Sequence, residues 1–283
     1  MYLSIVIPTL GRTKELINAI RSIEPEISSD VEVIIIDQNS EGFLEEAIPN
    51  DLKSLIKIHH TDKKGSSKAR NEGLAIAKGR YINFCDDDAI VVPGFRSRIF
   101  EAFERYPDAE MISFRVFDLE NDTVCECLVP FPDIDCEINE KNYHLTTTEF
   151  SQVWVTRAIR ELNGYDVQFG VGEPFGAEEG NDLVMRALEK KHTLFYVANT
   201  CFRHPSKQNA NIKRCFIYAE GTAAFAWKHW HRPYVKKRMI NFVFRSIAGI
   251  FVYNLWNFQK TKRCWMRLAG VFSGLKKKAL GKL

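Results

Sequence analysis

The first hundred residues alternate between short β-branched runs and amphipathic stretches, and that alternation leaves few architectures open. "YLSIVIP" ends at Pro8, "VEVIIID" runs from Val31 to Asp37, "LIKIHH" from Leu55 to His60, and "YINFC" begins at Tyr81. Short apolar runs with little polar alternation fit strands covered on both faces. Between the first two, Leu16, Ile17, Ile20 and Ile23 recur at helical spacing, with Thr13 placed as a cap. "SKARNEGLAIAKG" reads as a later helix closed by Gly79, and a short helix precedes the third strand. Strand, helix, strand in this order predicts an α/β fold: a mostly parallel sheet with right-handed crossovers and flanking helices.

In such sheets ligands gather at the carboxyl ends of the strands. Polar residues follow each predicted strand: Thr9 and Arg12, then Asp37, Gln38 and Asn39, then Asp86, Asp87 and Asp88. They should converge along one edge. The acidic triplet is the most demanding of them, because adjacent carboxylates repel unless solvated or shared with a cation. In an extended segment alternate residues face the same way, so Asp86 and Asp88 point together. Such a pair offers hard oxygen ligands to Mg²⁺ or Mn²⁺, and its plain alternative is an acidic turn capping the strand.

The blocks "IVIPTLGR", "VEVIIIDQNS" and "GSSKARNEG", followed by Asp-x-Asp after an apolar strand, resemble family 2 glycosyltransferases of the GT-A (Rossmann-like) fold. The resemblance covers residues 1–205. It implies an inverting, metal-dependent transferase of the bacterial polysaccharide and glycan type. Its donor would be a nucleoside diphosphate sugar, UDP by default, and its acceptor a saccharide or lipid-linked saccharide. By the resemblance Pro8, Thr9 and Asp37 line the base and ribose pocket, Arg70 lies near the diphosphate, Asp86 near the ribose and Asp88 on the metal. Arg12, Asn39, Lys68 and Asp87 complete the nucleotide-sugar set, while Asp86 and His204 join Asp88 around the Mn²⁺ or Mg²⁺. The chemistry suits these roles: a carboxylate accepts from a nucleobase imide or a ribose hydroxyl, and a guanidinium matches phosphate oxygens. His204 ends the strand-like "LFYVANTCFRH", where an imidazole is either a metal ligand or satisfied by backbone groups. His59 and His60 read as surface.

Inverting transfer needs a carboxylate that deprotonates the acceptor hydroxyl. "GYDVQFGVGEPFGAEEGNDLVMRAL" reads as a Gly-rich loop followed by a helix starting near Asn181 or Asp182. The resemblance implies that the base comes from a Glu-Asp pair ahead of "DL…R", and here Gly180 stands in the Asp slot. Glu179 fits if the loop carries one extra residue, with Glu178 as its neighbour. Asp182 is the rival, although an acid at a helix start is also what the helix dipole favours. Trp154, Tyr165 and Phe175 are candidates to stack on an acceptor sugar, or simply core.

A helix is expected over Phe95 to Tyr106, and strand-like pieces in "MISFRVF" and "CECLV". The seven cysteines are odd in number and lack a Cys-x-x-Cys pair, which argues against a disulfide framework. Cys125, Cys127 and Cys136 have no second pair at zinc spacing. "MYLSIVIPTL" is a strand rather than a leader, so a cytoplasmic location is expected.

Residues 206–283 change character. Met239 to Trp256 is almost continuously apolar, with Lys236, Lys237 and Arg238 before it and Lys260, Lys262 and Arg263 after it. Arg245, Asn241 and Gly249 interrupt it along one stripe. This predicts a helical, amphipathic extension lying on an anionic membrane surface, peripheral on the inner face of the cytoplasmic membrane. A bundle packed on the catalytic part, or a homo-oligomer contact, is the alternative. Bases interleaved with large apolar residues do not form a nucleic-acid stripe. The competing function is a catalytically silent nucleotide-sugar binder, or a membrane scaffold, of the same fold.

Overall fold

The computed structural model describes residues 2–125, 129–206, 211–254 and 256–281. The four predicted strands are β1 (Leu3–Thr9), β2 (Val31–Asp37), β3 (Ile56–His60) and β4 (Tyr81–Phe84), paired in parallel in the order β3-β2-β1-β4. Every residue of β2 is buried, as a strand covered on both faces requires. Edge strand β3 alternates between half-buried and exposed, which is why it tolerates a lysine and two histidines. The crossovers are α1 (Lys14–Ile23), α2 (Phe43–Ala47) with α3 (Asn50–Lys53), and α4 (Ser66–Ile76). Thr13 stands at the cap of α1, but its side chain makes no capping hydrogen bond. Helix α4 stops short of Gly79. That glycine instead donates its N–H to Ser4 Oγ at 2.8 Å and lies so close to β1 that a Cβ would collide with its backbone.

The chain continues through β5 (Ile90–Val91), α5 (Phe95–Arg105), β6 (Met111–Asp118), β7 (Cys136–Glu137) and α6 (Tyr143–Thr146). A 3₁₀ turn at Glu149–Ser151 leads into β8 (Gln152–Val155), followed by α7 (Thr156–Glu161), α8 (Glu179–Glu189) and β9 (Leu194–His204). All nine strands form one sheet, β3-β2-β1-β4-β8-β6-β9-β5, with β7 on β9. β8 runs against both β4 and β6, and β9 is parallel to β6. β1 to β4, β6 and β9 therefore share one direction, and their carboxyl ends share one edge. Just ahead of "CECLV", Val124 bridges to Phe117, and within it Cys125 donates its N–H to the Val116 carbonyl at 3.0 Å; residues 126–128 (Cys127 among them) lie outside the described ones.

Connectivity places the site. β1 leads to β2 on one side, while β4 returns to the other side of β1, and that reversal opens a crevice at the ends of β1 and β4. β5 follows the Asp86–Asp88 loop directly and pairs with the end of β9, Ile90 opposite Arg203, which brings His204 beside the loop. Helix α8 starts earlier than predicted, at Glu179. Glu178 before it has left-handed backbone, φ 76°, and turns the chain out of the loop.

Beyond β9 come α9 (Ile212–Lys228), α10 (Pro233–Tyr253) and α11 (Phe258–Ala279). α11 packs on α9 with Gly270 against the Phe216 carbonyl and Gly274 against that of Glu220, leaving no space for a Cβ at either. Arg238 of α10 donates to Tyr143 Oη at 2.9 Å, so these helices also touch the sheet-bearing part. Among the described residues no helix is long and apolar enough to cross a membrane.

Candidate functional site

The acidic loop at the crevice is neutralised residue by residue. Thr9 Oγ1 donates to Asp87 Oδ2 at 2.8 Å, and Arg12 Nη1 reaches Asp87 Oδ1 at 2.8 Å and Asp88 Oδ2 at 2.7 Å. Asp86 Oδ1 accepts from Arg70 Nη2 at 3.0 Å. Burial, with the charges of Asp88 and Asp86, still raises the Asp87 pKa above the ordinary carboxylate value against the pull of Thr9 and Arg12. Strand ends thus bring together Thr9, Arg12, Asp86, Asp87 and Asp88, as the convergence argument requires.

Asp86, Asp88 and His204 offer ligand atoms that all lie within 4.8 Å of one another. His204 Nδ1 is 2.9 Å from the Pro205 carbonyl oxygen, which places the ring proton on Nδ1 and turns the Nε2 lone pair towards Asp88 Oδ1 at 3.3 Å. Two acceptors facing each other at that range suit a cation between them, and carboxylate oxygens plus an imidazole fit Mn²⁺ or Mg²⁺. Phe150 stacks on the His204 ring at 5.0 Å and holds its plane. Cys125 and Cys136 join no such group among the described residues.

On the other side of β1, Asp37 Oδ1 accepts from the amide and the side chain of Asn39 at 2.9 and 2.6 Å, and Asn39 Oδ1 accepts from the Gly11 amide at 2.7 Å. Asn39 is therefore a brace for Asp37 and the first loop. Among the described residues Asp37 Oδ2 is buried with no hydrogen-bond partner, and so is Nδ1 of His60, 4.0 Å away. Two orphaned polar atoms at one strand edge are hydrogen-bonding groups that the protein itself does not satisfy. His60 is not a surface residue like His59. The signal in the sequence was its register opposite Asp37 at the end of the neighbouring strand. Pro8 pairs in register with Ile36 and is half-buried. Lys68 is ion-paired with buried Glu173 at 3.0 Å on the flank of α4.

Arg70 is 4% exposed and links the acidic loop to α8: its Nη1 reaches Glu179 Oε1 at 3.2 Å while Nη2 holds Asp86. Its neighbour Glu178 accepts from Thr222 at 2.7 Å and from Asn181 at 2.7 Å. Asp182, the rival base in the sequence, has no exposed surface. Its carboxylate is held by Arg186 Nε at 2.8 Å, Lys228 Nζ at 2.7 Å and His229 Nε2 at 2.9 Å. Burial opposes its charge, yet these three partners outweigh burial and keep its pKa well below the ordinary aspartate value. It ties α9 to α8 and presents no free oxygen to an acceptor. Trp154, Tyr165 and Phe175 are core at 0, 2 and 0% exposure, so none can stack on a sugar; Tyr165 lies under the Arg70 guanidinium.

Glu149, on the 3₁₀ turn, was not singled out in the sequence because nothing local marks it. Crowding by protein and the neighbouring charge of Glu179 raise its pKa, against the pull of Arg70. On α9, Tyr218 is 42% exposed and receives a hydrogen bond from Arg214 at 2.7 Å, within electrostatic reach of Glu149 and Glu179.

Fold and site together define a class: a GT-A sheet carrying an Asp-Asp-His cluster at its switch point. Two solved structures share the fold. TarS from S. aureus, in complex with UDP-GlcNAc, superposes with TM-score 0.64 at 13% identity, over 92% of this chain and 74% of its own. The mannosyltransferase PcManGT from Pyrobaculum calidifontis, in complex with GDP-Man and Mn²⁺, gives 0.67 at 11%, over 99% of this chain and 88% of its own. Residues 4–130 match Glycosyl transferase family 2. A GalNAc(5)-diNAcBac-PP-undecaprenol beta-1,3-glucosyltransferase of Campylobacter jejuni is 29% identical over 202 residues, 69% of this chain and 62% of that protein. Glycosyltransferase GlyG of Streptococcus pneumoniae is 26% identical over 39% of this chain and 37% of its own. These alignments span less than two thirds of either relative. Over its first 130 residues the chain is thus similar to glycosyltransferase family 2.

Proposed function

We propose that this protein is an inverting, divalent-cation-dependent glycosyltransferase. It moves a sugar from a nucleoside diphosphate donor, UDP by default, to a saccharide or lipid-linked saccharide. The observation that carries this reading is the meeting of Asp86, Asp88 and His204 at the β1/β4 crevice. Support comes from relatives: a C. jejuni enzyme named for an undecaprenol-linked acceptor, and fold neighbours in complex with UDP-GlcNAc or with GDP-Man and Mn²⁺.

In this reading Asp37 Oδ2 and His60 face the nucleobase, and Thr9 and Arg12 orient the acidic loop. Asp86, Asp88 and His204 hold the cation, which when bound supplies Lewis-acid stabilisation of the leaving diphosphate. Arg70 keeps the acidic loop and the start of α8 in register, and a carboxylate at that junction takes the acceptor proton. The acceptor side is bounded by α9, where Tyr218 is exposed.

The C-terminal helices suit an acceptor embedded in a membrane. Ile240, Phe244 and Phe251 of α10 and Phe258, Trp265 and Phe272 of α11 are all at least 60% exposed except Trp265 at 58%. Lys237, Arg245, Lys262 and Lys276 are interleaved on the same exposed faces. Aromatic and basic residues mixed in this way favour the headgroup region of an anionic leaflet, placing the protein peripherally on the cytoplasmic face.

A nucleotide-sugar panel read by thermal shift, with and without Mn²⁺, tests the donor site, because a ligand bound only by the folded state raises the melting temperature. One nucleotide-sugar should stabilise the protein in the presence of Mn²⁺ and release its nucleoside diphosphate when acceptor is added. Saturable binding with no release under any acceptor would identify a silent binder instead.

A further inference from the structure

We propose that Glu149, from the 3₁₀ turn outside α8, is the general base of the transfer, and that Glu179 positions it. The inference rests on the glycosyl-transfer reading above. Glu179 is a poor base on geometric grounds: its side chain is only 8% exposed and one of its oxygens is committed to Arg70 at 3.2 Å. Glu149 differs on both counts. As a residue it keeps some exposed surface where Glu179 is buried, and no other side chain among the described residues donates a hydrogen bond to its carboxyl.

Gly180 makes the arrangement possible. A Cβ at residue 180 would stand 2.6 Å from Glu149 Cγ and 2.7 Å from Oε1, so Glu149 fills the space that a side chain on the first turn of α8 would otherwise occupy. The glycine is required for contact, since its own backbone is helical. The turn that carries Glu149 is rigid. Thr148 and Ser151 cap it reciprocally, and buried Asn83 of β4 donates to the carbonyls of Phe150 and Gln152 at 2.8 and 2.9 Å. The same turn supports the site from below, because Phe150 stacks on His204. Glu149 is thus fixed beside the cluster without belonging to it. Groups facing it are Glu179 from α8, Arg70 from α4, Asp86 from the acidic loop and Tyr218 from α9. A carboxylate beside a second acid is more basic than a solvated one, as proton abstraction near neutral pH requires.

The step balances without another reactant. A Glu149 carboxylate oxygen takes the acceptor hydroxyl proton while that oxygen bonds to the anomeric carbon. The bond from the anomeric carbon to the phosphate oxygen breaks, and its electron pair leaves on the nucleoside diphosphate.

The test uses the full-length protein with the donor found in the panel, following nucleoside diphosphate release and, separately, donor binding. Glu149→Ala should lower kcat by roughly 10²- to 10⁴-fold, the usual contribution of a general base, with donor affinity unchanged. Adding Gly180→Asp to Glu149→Ala restores a carboxylate to the vacated space and should recover at least about tenfold of that loss. Retained donor binding shows that each variant is folded. If the wild type transfers sugar and Glu149→Ala keeps kcat within about tenfold, the assignment is wrong while glycosyl transfer stands. A Glu149→Ala loss that Gly180→Asp fails to relieve, with donor still bound, likewise overturns it. A wild type that binds donors but never transfers sinks the underlying reading itself.

Discussion

Asp86 and Glu179 are held by the two ends of one guanidinium: Arg70 Nη2 donates to Asp86 Oδ1 at 3.0 Å and Nη1 to Glu179 Oε1 at 3.2 Å. The acidic loop after β4 and the first turn of α8 are therefore set relative to each other by one side chain. A lysine carries the charge but not the fork, and cannot reach both acids at once. Arg70→Lys should lower kcat/KM by about 10²-fold through misplacement of the two halves of the site. Arg70→Ala should cost about 3 kcal/mol by stranding a buried carboxylate. Steady-state kinetics and thermal unfolding of the two variants distinguish positioning from folding. Equal kcat/KM for Arg70→Lys and wild type would remove Arg70 from the machinery.

Chelation supplies the next expectation. EDTA should abolish transfer and Mn²⁺ restore it, because Asp86, Asp88 and His204 together offer hard oxygen and imidazole ligands to one cation. Asp88→Ala should abolish turnover at any Mn²⁺ concentration. His204→Ala, which removes a neutral ligand and leaves both acids, should raise the Mn²⁺ midpoint by roughly tenfold. A Mn²⁺ titration of turnover in each variant reads this out, and full activity of Asp88→Ala in EDTA would exclude the cluster.

Residues close in sequence to a strand end could be read in advance, and residues delivered by tertiary packing could not. Thr9, Arg12, Asp37 and Asp86 to Asp88 follow directly from apolar runs that stop at polar residues, and parallel strand order puts their ends on one edge. His204 was legible for the same reason, as the end of β9. Asp182 is conspicuous as an acid near a helix start, but its partners Lys228 and His229 lie at the end of α9 and just past it, and no local pattern announces them. Trp154, Tyr165 and Phe175 carry the composition of a sugar platform and the burial of a core, and composition alone does not separate the two. Glu149 sits in an irregular stretch where periodicity says nothing; only the absence of a side chain at Gly180 hints that something else fills that space.

The pH dependence of transfer should follow the Glu149 and Glu179 pair. Crowding and the Glu179 charge raise the Glu149 pKa, so the acid limb of kcat/KM should lie above the ordinary carboxylate range near 4.3. The limb belongs to the coupled pair rather than to one residue. Glu179→Gln removes a like charge that favours the protonated form of Glu149, and the limb should therefore move to lower pH. Rates measured from about pH 5 to about pH 9 show the shift. A limb that stays put, or moves up, contradicts the pairing.

The outer faces of α10 and α11 predict salt-sensitive attachment to lipid. Sedimentation with phosphatidylglycerol vesicles should capture the protein at low ionic strength and release much of it as salt rises. Lys262→Gln should weaken capture by about fivefold, since each base near an anionic surface contributes about 1 kcal/mol. Phe251→Ser and Phe272→Ser remove side chains 74 and 71% exposed, so capture should fall while thermal stability stays unchanged. Capture that is indifferent to all three would leave these faces without a lipid role.

Asp182 should matter for stability rather than for chemistry. Its carboxylate is sealed among Arg186, Lys228 and His229, and these hold its native pKa below the unfolded value near 3.9 despite burial. A carboxylate with a depressed native pKa contributes stability that is present above the unfolded value and is lost as pH falls through the native one. Asp182→Asn keeps the shape and removes the charge, leaving three cationic or proton-donating groups around a neutral amide. The cost at neutral pH should be about 3 kcal/mol, read as a melting temperature lower by roughly 6–12 °C. The gap between variant and wild type should narrow as pH drops below about 4, where the unfolded chain takes up the Asp182 proton while the native carboxylate still holds its charge. Donor affinity in the folded variant should match the wild type, because no atom of Asp182 faces the crevice. Equal melting temperatures at neutral pH, or a selective loss of kcat in a fully stable Asp182→Asn, would return Asp182 to the list of catalytic acids.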